Sequence, residues 1–238
     1  MIVVGTTLTT FAMLDPERSF LWDAWLRNAE AIKASHPDGV VYFAAIQVDD
    51  RGIEPFEPLL DRLREVGGSW WTYSLHDGRS RVTQSNRLRH ITTGQNLIST
   101  FATDYNASHL LHMAADTEPP PDVLPKLLEA RNGVAAASCS TYCFDYDPLP
   151  EYADFPVAGP PMTAVCVLLE REVFKRLRWR ADPDLGMTDD PSLTHDAKTL
   201  LGVETLTRID CEAIHHPQTI SRIEDRFPGL DMSVQHRA

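Results

Sequence analysis

Three short segments carry side chains whose types and spacing could do chemistry. Residues 109–121 read His-Leu-Leu-His-Met-Ala-Ala-Asp-Thr-Glu-Pro-Pro-Pro: an apolar run delivers Asp116, and prolines then turn the chain. A hard divalent cation wants oxygen ligands on a stiff strand end, with positions left open for a diphosphate. Asp116 suits that role, or it simply caps a turn. Residues 186–202 hold the adjacent acids Asp189 and Asp190 ahead of a helical pattern. A carboxylate there can take a proton from a hydroxyl. The competing structural reading is helix capping by Asp189 or Asp190, with Pro191 next in line. The third segment ends in Ile214-His215-His216-Pro217. Imidazole is a common metal ligand, and tandem histidines after a strand suggest that one faces a site and the other faces away. A purely structural pair is the alternative.

The elements that must position these residues follow from periodicity. Ile2 to Val4 is a short β-branched run, ending in Gly5-Thr6-Thr7 as a loop. Glu17 to Ser35 repeats Leu21, Ala24, Trp25, Asn28, Ala29 and Ile32 at helical steps, with Asp15-Pro16 as its start. Val40 to Val48 is nearly all apolar, the pattern of a strand buried on both faces, and it runs into Asp49-Asp50. A helix around Phe56 to Val66 stops at Gly67-Gly68; Trp70 to Leu75 is a strand; Leu88, Ile91, Gln95, Ile98 and Phe101 mark a long helix; His109 to Ala114 is a fourth strand. Strands alternating with helices predict a mainly parallel sheet with helices on both faces. Ligands in such sheets sit outside the carboxyl ends of the strands. The polar groups at those ends are Thr6 and Thr7, Asp49 and Asp50, His76 and Asp77, and Asp116 and Glu118.

The second half is less regular. Val123 to Ala130 is a short helix, Val134 to Thr141 a strand of small residues, and Tyr142 to Pro161 a long proline-rich, acidic loop of the kind that forms lids or acceptor sites. Thr163 to Leu169 is a strand, Arg171 to Leu177 a helix, Asp196 to Leu201 a helix closed by Gly202, and Thr205 to Ile209 a strand.

Composition narrows the class. A 238-residue chain with 43% hydrophobic residues has enough apolar side chains for a real core. Its formal net charge of −12 opposes nucleic acid and anionic membranes unless a local basic patch overrides it. The basic cluster Arg79, Arg81, Arg87, Arg89 and His90 reads first as a solvated helix face. Cys139, Cys143, Cys166 and Cys211 lack the paired spacing of a structural zinc site and read as reduced core thiols. Without a leader pattern or a long apolar run, the expected location is cytoplasmic, with no membrane partner.

The order of these segments resembles a GT-A-fold glycosyltransferase, in the style of glycosyltransferase family 2, over residues 2–217. In that family the fourth strand ends in Asp-x-Asp, often followed by x-x-Pro-Pro. The matching stretch is Ala114-Ala115-Asp116-Thr117-Glu118-Pro119-Pro120. Asp116 falls on the second, metal-binding acid, and Ala114 replaces the first. Asp49 lies where the family holds an acid against the nucleotide base. Asp190 matches the catalytic base of inverting members and Asp189 the acid before it, and the two could exchange roles. His215 lies where metal-dependent relatives place a late histidine, with His216 as the alternative.

The resemblance implies an α/β, Rossmann-like, three-layer fold. A single domain would comprise a nucleotide-sugar-binding half, 1–118, and an acceptor and catalytic half, 119–238. It implies a glycosyltransferase using a nucleoside-diphosphate sugar, a UDP-sugar foremost, with Mn2+ or Mg2+. Thr6 or Thr7 and Asp49 would hold the nucleoside, Asp116 and His215 the metal, and Asp190 would activate an acceptor hydroxyl with inversion. Trp70, Trp71 and Trp179 are candidates for stacking on sugar or base. The acceptor is open among glycan, protein, small molecule and modified nucleic acid. Two rivals stand. A sugar nucleotidyltransferase would need a Gly-rich basic loop after the first strand, whereas Gly5-Thr-Thr-Leu-Thr-Thr has one glycine and no cation. A non-catalytic nucleotide-sugar binder is favoured by Ala114.

Overall fold

The computed structural model describes residues 1–9, 19–36, 39–48, 52–74, 84–115, 117–130, 136–141, 166–180, 192–193, 195–197 and 206–215. The strands are β1 (Ile2–Thr9), β2 (Val40–Gln47), β3 (Ser69–Tyr73), β4 (His109–Met113), β5 (Thr117–Glu118), β6 (Ala136–Thr141), β7 (Cys166–Glu170) and β8 (Leu206–His215). The helices are α1 (Ser19–Ser35), α2 (Glu57–Glu65), α3 (Gln84–Asp104), α4 (Val123–Ala130) and α5 (Arg171–Arg176).

The strands form one sheet in the order β3-β2-β1-β4-β7-β6-β8-β5. β1, β2, β3 and β4 are mutually parallel, as is the pair β6 and β8. β7 runs antiparallel to both β4 and β6. No helical pattern separates β6 from β7 in the sequence, so antiparallel pairing, which needs no crossover helix, is the available solution.

β1 corrects one expectation. Gly5, Thr6 and Thr7 are not a loop: the strand continues to Thr9 and pairs with β2 along its whole length. The reason lies in its partners. β4 pairs with β1 as far as Gly5, and β2 pairs with it all the way to Thr9, so the backbone groups of Thr6 and Thr7 find ladder partners on β2, and threonine suits a strand. Gly5 is required because α3 sits directly on it: a Cβ there would collide with the Ile98 side chain.

Alternation along the strands sorts the core into two layers. Val4, Leu8, Tyr42, Ala44, Ile46, Leu111 and Met113 face α1, α2 and α4. Val3, Phe43, Ala45, Leu110, Val167 and Leu169 face α3 and α5. Tyr42 to Ile46 are buried without a break, as the apolar run required. On the first face Trp22 and Trp25 stack with ring centroids 5.1 Å apart, and Trp25 meets Tyr42 edge-on at 6.2 Å. The Tyr42 hydroxyl donates to the Ala29 carbonyl and so ties α1 to the sheet. Burial raises its pKa, which keeps it a donor. Tyr42→Phe should therefore lower unfolding free energy by about 1–2 kcal/mol, because the buried Ala29 carbonyl loses its second partner; urea denaturation measures it. Among the described residues no helix is long and apolar enough to cross a membrane, and Cys166 is a buried free thiol.

Candidate functional site

Because β1 to β4 are parallel, their carboxyl ends share one edge of the sheet. β2 and β4 flank β1; at about 4.8 Å per strand they lie roughly 10 Å apart across the sheet, and β2 pairs with β1 to Thr9 whereas β4 pairs only to Gly5. Val48 closes the first of these and leads into Asp49; Ala114 and Ala115 close the other and lead into Asp116. Asp49, Asp116, Asp189, Asp190 and His216 lie outside the described residues, as does the loop read over Tyr142 to Pro161.

Thr6 and Thr7 fall on opposite faces. Thr6 is fully buried within β1, and its Oγ1 has no hydrogen-bond partner. It is part of the sheet's interior rather than of a loop lining an open cleft. Thr7, half-buried, lies on the α3 side, where Gly94 allows the helix to approach. A Cβ on Gly94 would stand 2.5 Å from Thr7 Cγ2 and 2.9 Å from the Tyr73 hydroxyl. That hydroxyl donates to the His90 carbonyl at 2.6 Å. Burial raises the Tyr73 pKa, so the phenol stays protonated. The first half of α3 is thus seated against the ends of β1 and β3. Gly94→Ala should cost about 1–3 kcal/mol from overpacking, seen as a lowered melting temperature, and should displace Thr7 first.

Two features of the edge were not legible in the sequence. Thr117 and Glu118, immediately after Asp116, form β5, which pairs antiparallel with β8 so that Thr117 lies opposite His215 and Glu118 opposite Ile214. The second is the length of β8. His215 does not follow a strand ending at Ile209, as expected; it is the last residue of a strand that continues past it. Cys139 pairs with Ile209 but Ser140 with Glu212, which leaves Asp210 and Cys211 as extra residues on β8. Bulges of this kind bend a strand and re-aim its end. Here the end is carried to the stretch that follows β4. Among the described residues no group of three or more His, Cys, Asp or Glu side chains could hold a metal ion; what the backbone contributes is the pairing of Thr117 with His215.

The tryptophans separate by environment. Trp179 is 3% exposed and structural: Asn96 Oδ1 accepts its backbone N–H at 2.9 Å, Asn96 Nδ2 donates to its carbonyl at 2.7 Å, and its indole N–H donates to Ser99 Oγ at 3.3 Å. Trp70 carries the Arg64 guanidinium 4.6 Å above its ring. Trp71, on edge strand β3, packs edge-on against Phe43 and Phe101 with one side exposed. Asp196, a third acid near Asp189 and Asp190 in sequence, is committed elsewhere. It accepts both Nε (3.1 Å) and Nη2 (2.5 Å) of Arg180 and is 4% exposed.

No family model matches the chain, and no curated protein matches it by sequence. Solved structures do. The galactosyltransferase LgtC, in complex with donor and acceptor sugar analogs, superposes with a TM-score of 0.54 at 12% identity, over 99% of this chain and 82% of that one. The fold is that of the GT-A glycosyltransferases. TarS of S. aureus, in complex with UDP-GlcNAc, agrees with a TM-score of 0.51 at 8% identity, over 90% of this chain and 58% of that one. At such identities the likeness is one of fold. It supports the GT-A architecture read from the sequence and does not reach the narrower family 2. In a GT-A frame the shared edge of β1 to β4, with β5 and the end of β8 closing one side, is the place to look for chemistry, as for any open α/β sheet.

Proposed function

We propose that this chain is a glycosyltransferase that moves a sugar from a nucleoside-diphosphate sugar to an acceptor hydroxyl. The observation that carries the reading is the pairing of Thr117 with His215 beside the carboxyl edge of a GT-A sheet. Residues almost a hundred positions apart meet there, and one is the direct neighbour of the acid that follows β4. An Asp carboxylate and a His imidazole form a donor set that suits Mn2+ and, less closely, Mg2+. In this reading Asp116 and His215 hold the cation, with His216 as the alternative ligand. A bound cation would supply charge that offsets the departing diphosphate.

The remaining roles belong to the chain itself. Asp49, after β2, hydrogen-bonds the nucleoside. Thr6 or Thr7 hydrogen-bonds it as well; the Oγ1 atoms of both are buried without a hydrogen-bond partner. Asp190 takes the proton from the acceptor hydroxyl, which then attacks the anomeric carbon opposite the leaving group, with inversion. UDP is the nucleotide of choice, since TarS was solved with UDP-GlcNAc. The acceptor class stays open.

The experiment is a screen of UDP-glucose, UDP-galactose, UDP-GlcNAc and their GDP and dTDP counterparts. Each is tested for release of nucleoside diphosphate with and without Mn2+. Turnover of at least one donor, abolished by chelation and restored by Mn2+, is expected. Ala114, standing where the resemblance has an acid, favours a second reading, a nucleotide-sugar binder without turnover. Calorimetric binding of UDP with no hydrolysis of any donor would select that reading. Release of pyrophosphate from a nucleoside triphosphate and a sugar 1-phosphate would instead select a nucleotidyltransferase.

A further inference from the structure

The Thr7 hydroxyl is buried, and its Oγ1 has no hydrogen-bond partner. A buried polar group left unpaired is costly, and one kept in that state calls for a use. What covers it is α3. Gly94 stands against Thr7, and Ile98 stands against Gly5. Four helical residues advance about 6 Å and two strand residues about 6.6 Å. The helix therefore runs back along β1, and its turns ahead of Gly94 continue past Thr7 toward the carboxyl edge.

The two halves of α3 are held differently. Among its described side chains, those that join the apolar core are Leu97, Ile98, Phe101 and Ala102, and all of them follow Gly94. Phe101 stacks on Phe43 of β2 with ring centroids 3.9 Å apart. Asn96 and Ser99, which hold Trp179, also follow Gly94. Ahead of Gly94, a tie to the sheet is the Tyr73 hydroxyl, which donates to the His90 carbonyl at 2.6 Å. Burial keeps that phenol protonated, so the bond is a neutral one.

We propose that the Tyr73 hydroxyl is a latch: it holds the first half of α3 over Thr7, and the helix swings from Gly94 to let a nucleoside reach the threonine hydroxyl. The ligand in this proposal rests on the donor reading above; the latch does not.

The physical case has three parts. First, a ligand that takes up the unpaired Thr7 hydroxyl must displace what lies on it, and that is the helix at Gly94. Second, a segment opens locally where few apolar contacts hold it, and the described core contacts of α3 begin only after Gly94. Third, glycine has the lowest helix propensity short of proline, so the helix yields most readily at the residue where the two halves meet. One neutral hydrogen bond has a modest net worth, which suits a contact that has to release.

The test uses the full chain with Tyr73→Phe, which keeps the ring and removes the latch, and with Thr7→Val, which keeps the shape and removes the hydroxyl beneath. Amide hydrogen exchange is followed along α3, UDP association and dissociation rates are measured by rapid mixing with Mn2+, and melting temperatures are recorded. For Tyr73→Phe, exchange over 88–94 should accelerate roughly three- to tenfold, the factor one neutral hydrogen bond is worth, while 95–104 stays within about twofold. UDP association should accelerate by the same factor with dissociation unchanged, because a larger share of the chain is already open. Affinity thus rises while the melting temperature does not, the reverse of what loss of a purely structural contact produces. Thr7→Val should raise the UDP dissociation rate roughly three- to tenfold without lowering the melting temperature.

Exchange that is unchanged in Tyr73→Phe, or faster along the whole of α3, overturns the proposal. So does UDP association that stays the same or slows while 88–94 opens. If Thr7→Val binds UDP normally and Thr6→Val does not, the nucleoside meets the opposite face of β1, and the gate is overturned. A wild-type chain that binds no UDP overturns the donor reading instead, and exchange alone then decides whether Tyr73 latches the helix.

Discussion

Replacing Asp190 by asparagine is expected to abolish sugar transfer while leaving donor binding intact. Asparagine keeps the size and the capping ability of the side chain but cannot accept a proton from an attacking hydroxyl. A general base is worth roughly 10²- to 10⁴-fold in rate, so kcat should fall by that factor while the Kd for UDP with Mn2+, read by calorimetry, moves by less than about threefold. Asp189→Asn is the paired control. If it carries the large effect and Asp190→Asn does not, the two acids exchange roles and the mechanism is otherwise unchanged. If both variants turn over normally, neither is the base, and the helix-capping reading of this pair is the correct one. Asp196 offers no escape from that outcome, because both of its oxygens are engaged by Arg180.

The second large effect is expected at the β5–β8 pairing. Asp116→Ala should lower kcat/KM roughly a hundredfold or more, since charge stabilisation of a departing diphosphate is worth several kcal/mol. His215→Ala should act in the same direction and, in addition, raise the Mn2+ concentration needed for half-maximal activity. The metal titration separates a ligand from a bystander. A histidine that merely ends β8 would, when replaced, shift the melting temperature and leave the Mn2+ dependence where it was. If His215→Ala is silent in the titration and His216→Ala is not, the ligand is the neighbouring imidazole. If both are silent while Asp116→Ala is severe, Asp116 acts without an imidazole. The assignment of a late histidine, which came from the resemblance, then fails for this chain.

Much of the fold was legible because its signals are local. The strand over Val40 to Gln47 announces itself by unbroken apolar residues, and all of Tyr42 to Ile46 are buried. The first helix announces part of its inner face by Trp25, Asn28, Ala29 and Ile32 at three- and four-residue steps, and all four are buried, but so are Trp22 and Leu26, which that pattern leaves out. Where local pattern misled, a neighbour explains it. Gly5-Thr6-Thr7 looked like a loop, yet pairing with β2 through Thr9, with β4 beside Gly5 and Ile98 above it, makes it strand.

The candidate site divides in the same way. The amino-acid sequence by itself determined the alternation of strands and helices up to Met113, and hence a parallel sheet with one chemically useful edge, because burial periodicity is written into a few consecutive residues. Only the tertiary structure decided what closes that edge. The two-residue strand β5 is too short to have a period. The extra residues Asp210 and Cys211 on β8 show only against the partner strand β6. The Asn96 clamp on Trp179 spans 83 positions, and the Arg180–Asp196 fork spans 16 with no common helix or strand to space it. Each of these is a pairing between distant stretches of chain, and a pairing acquires energy only when folding brings its two halves together.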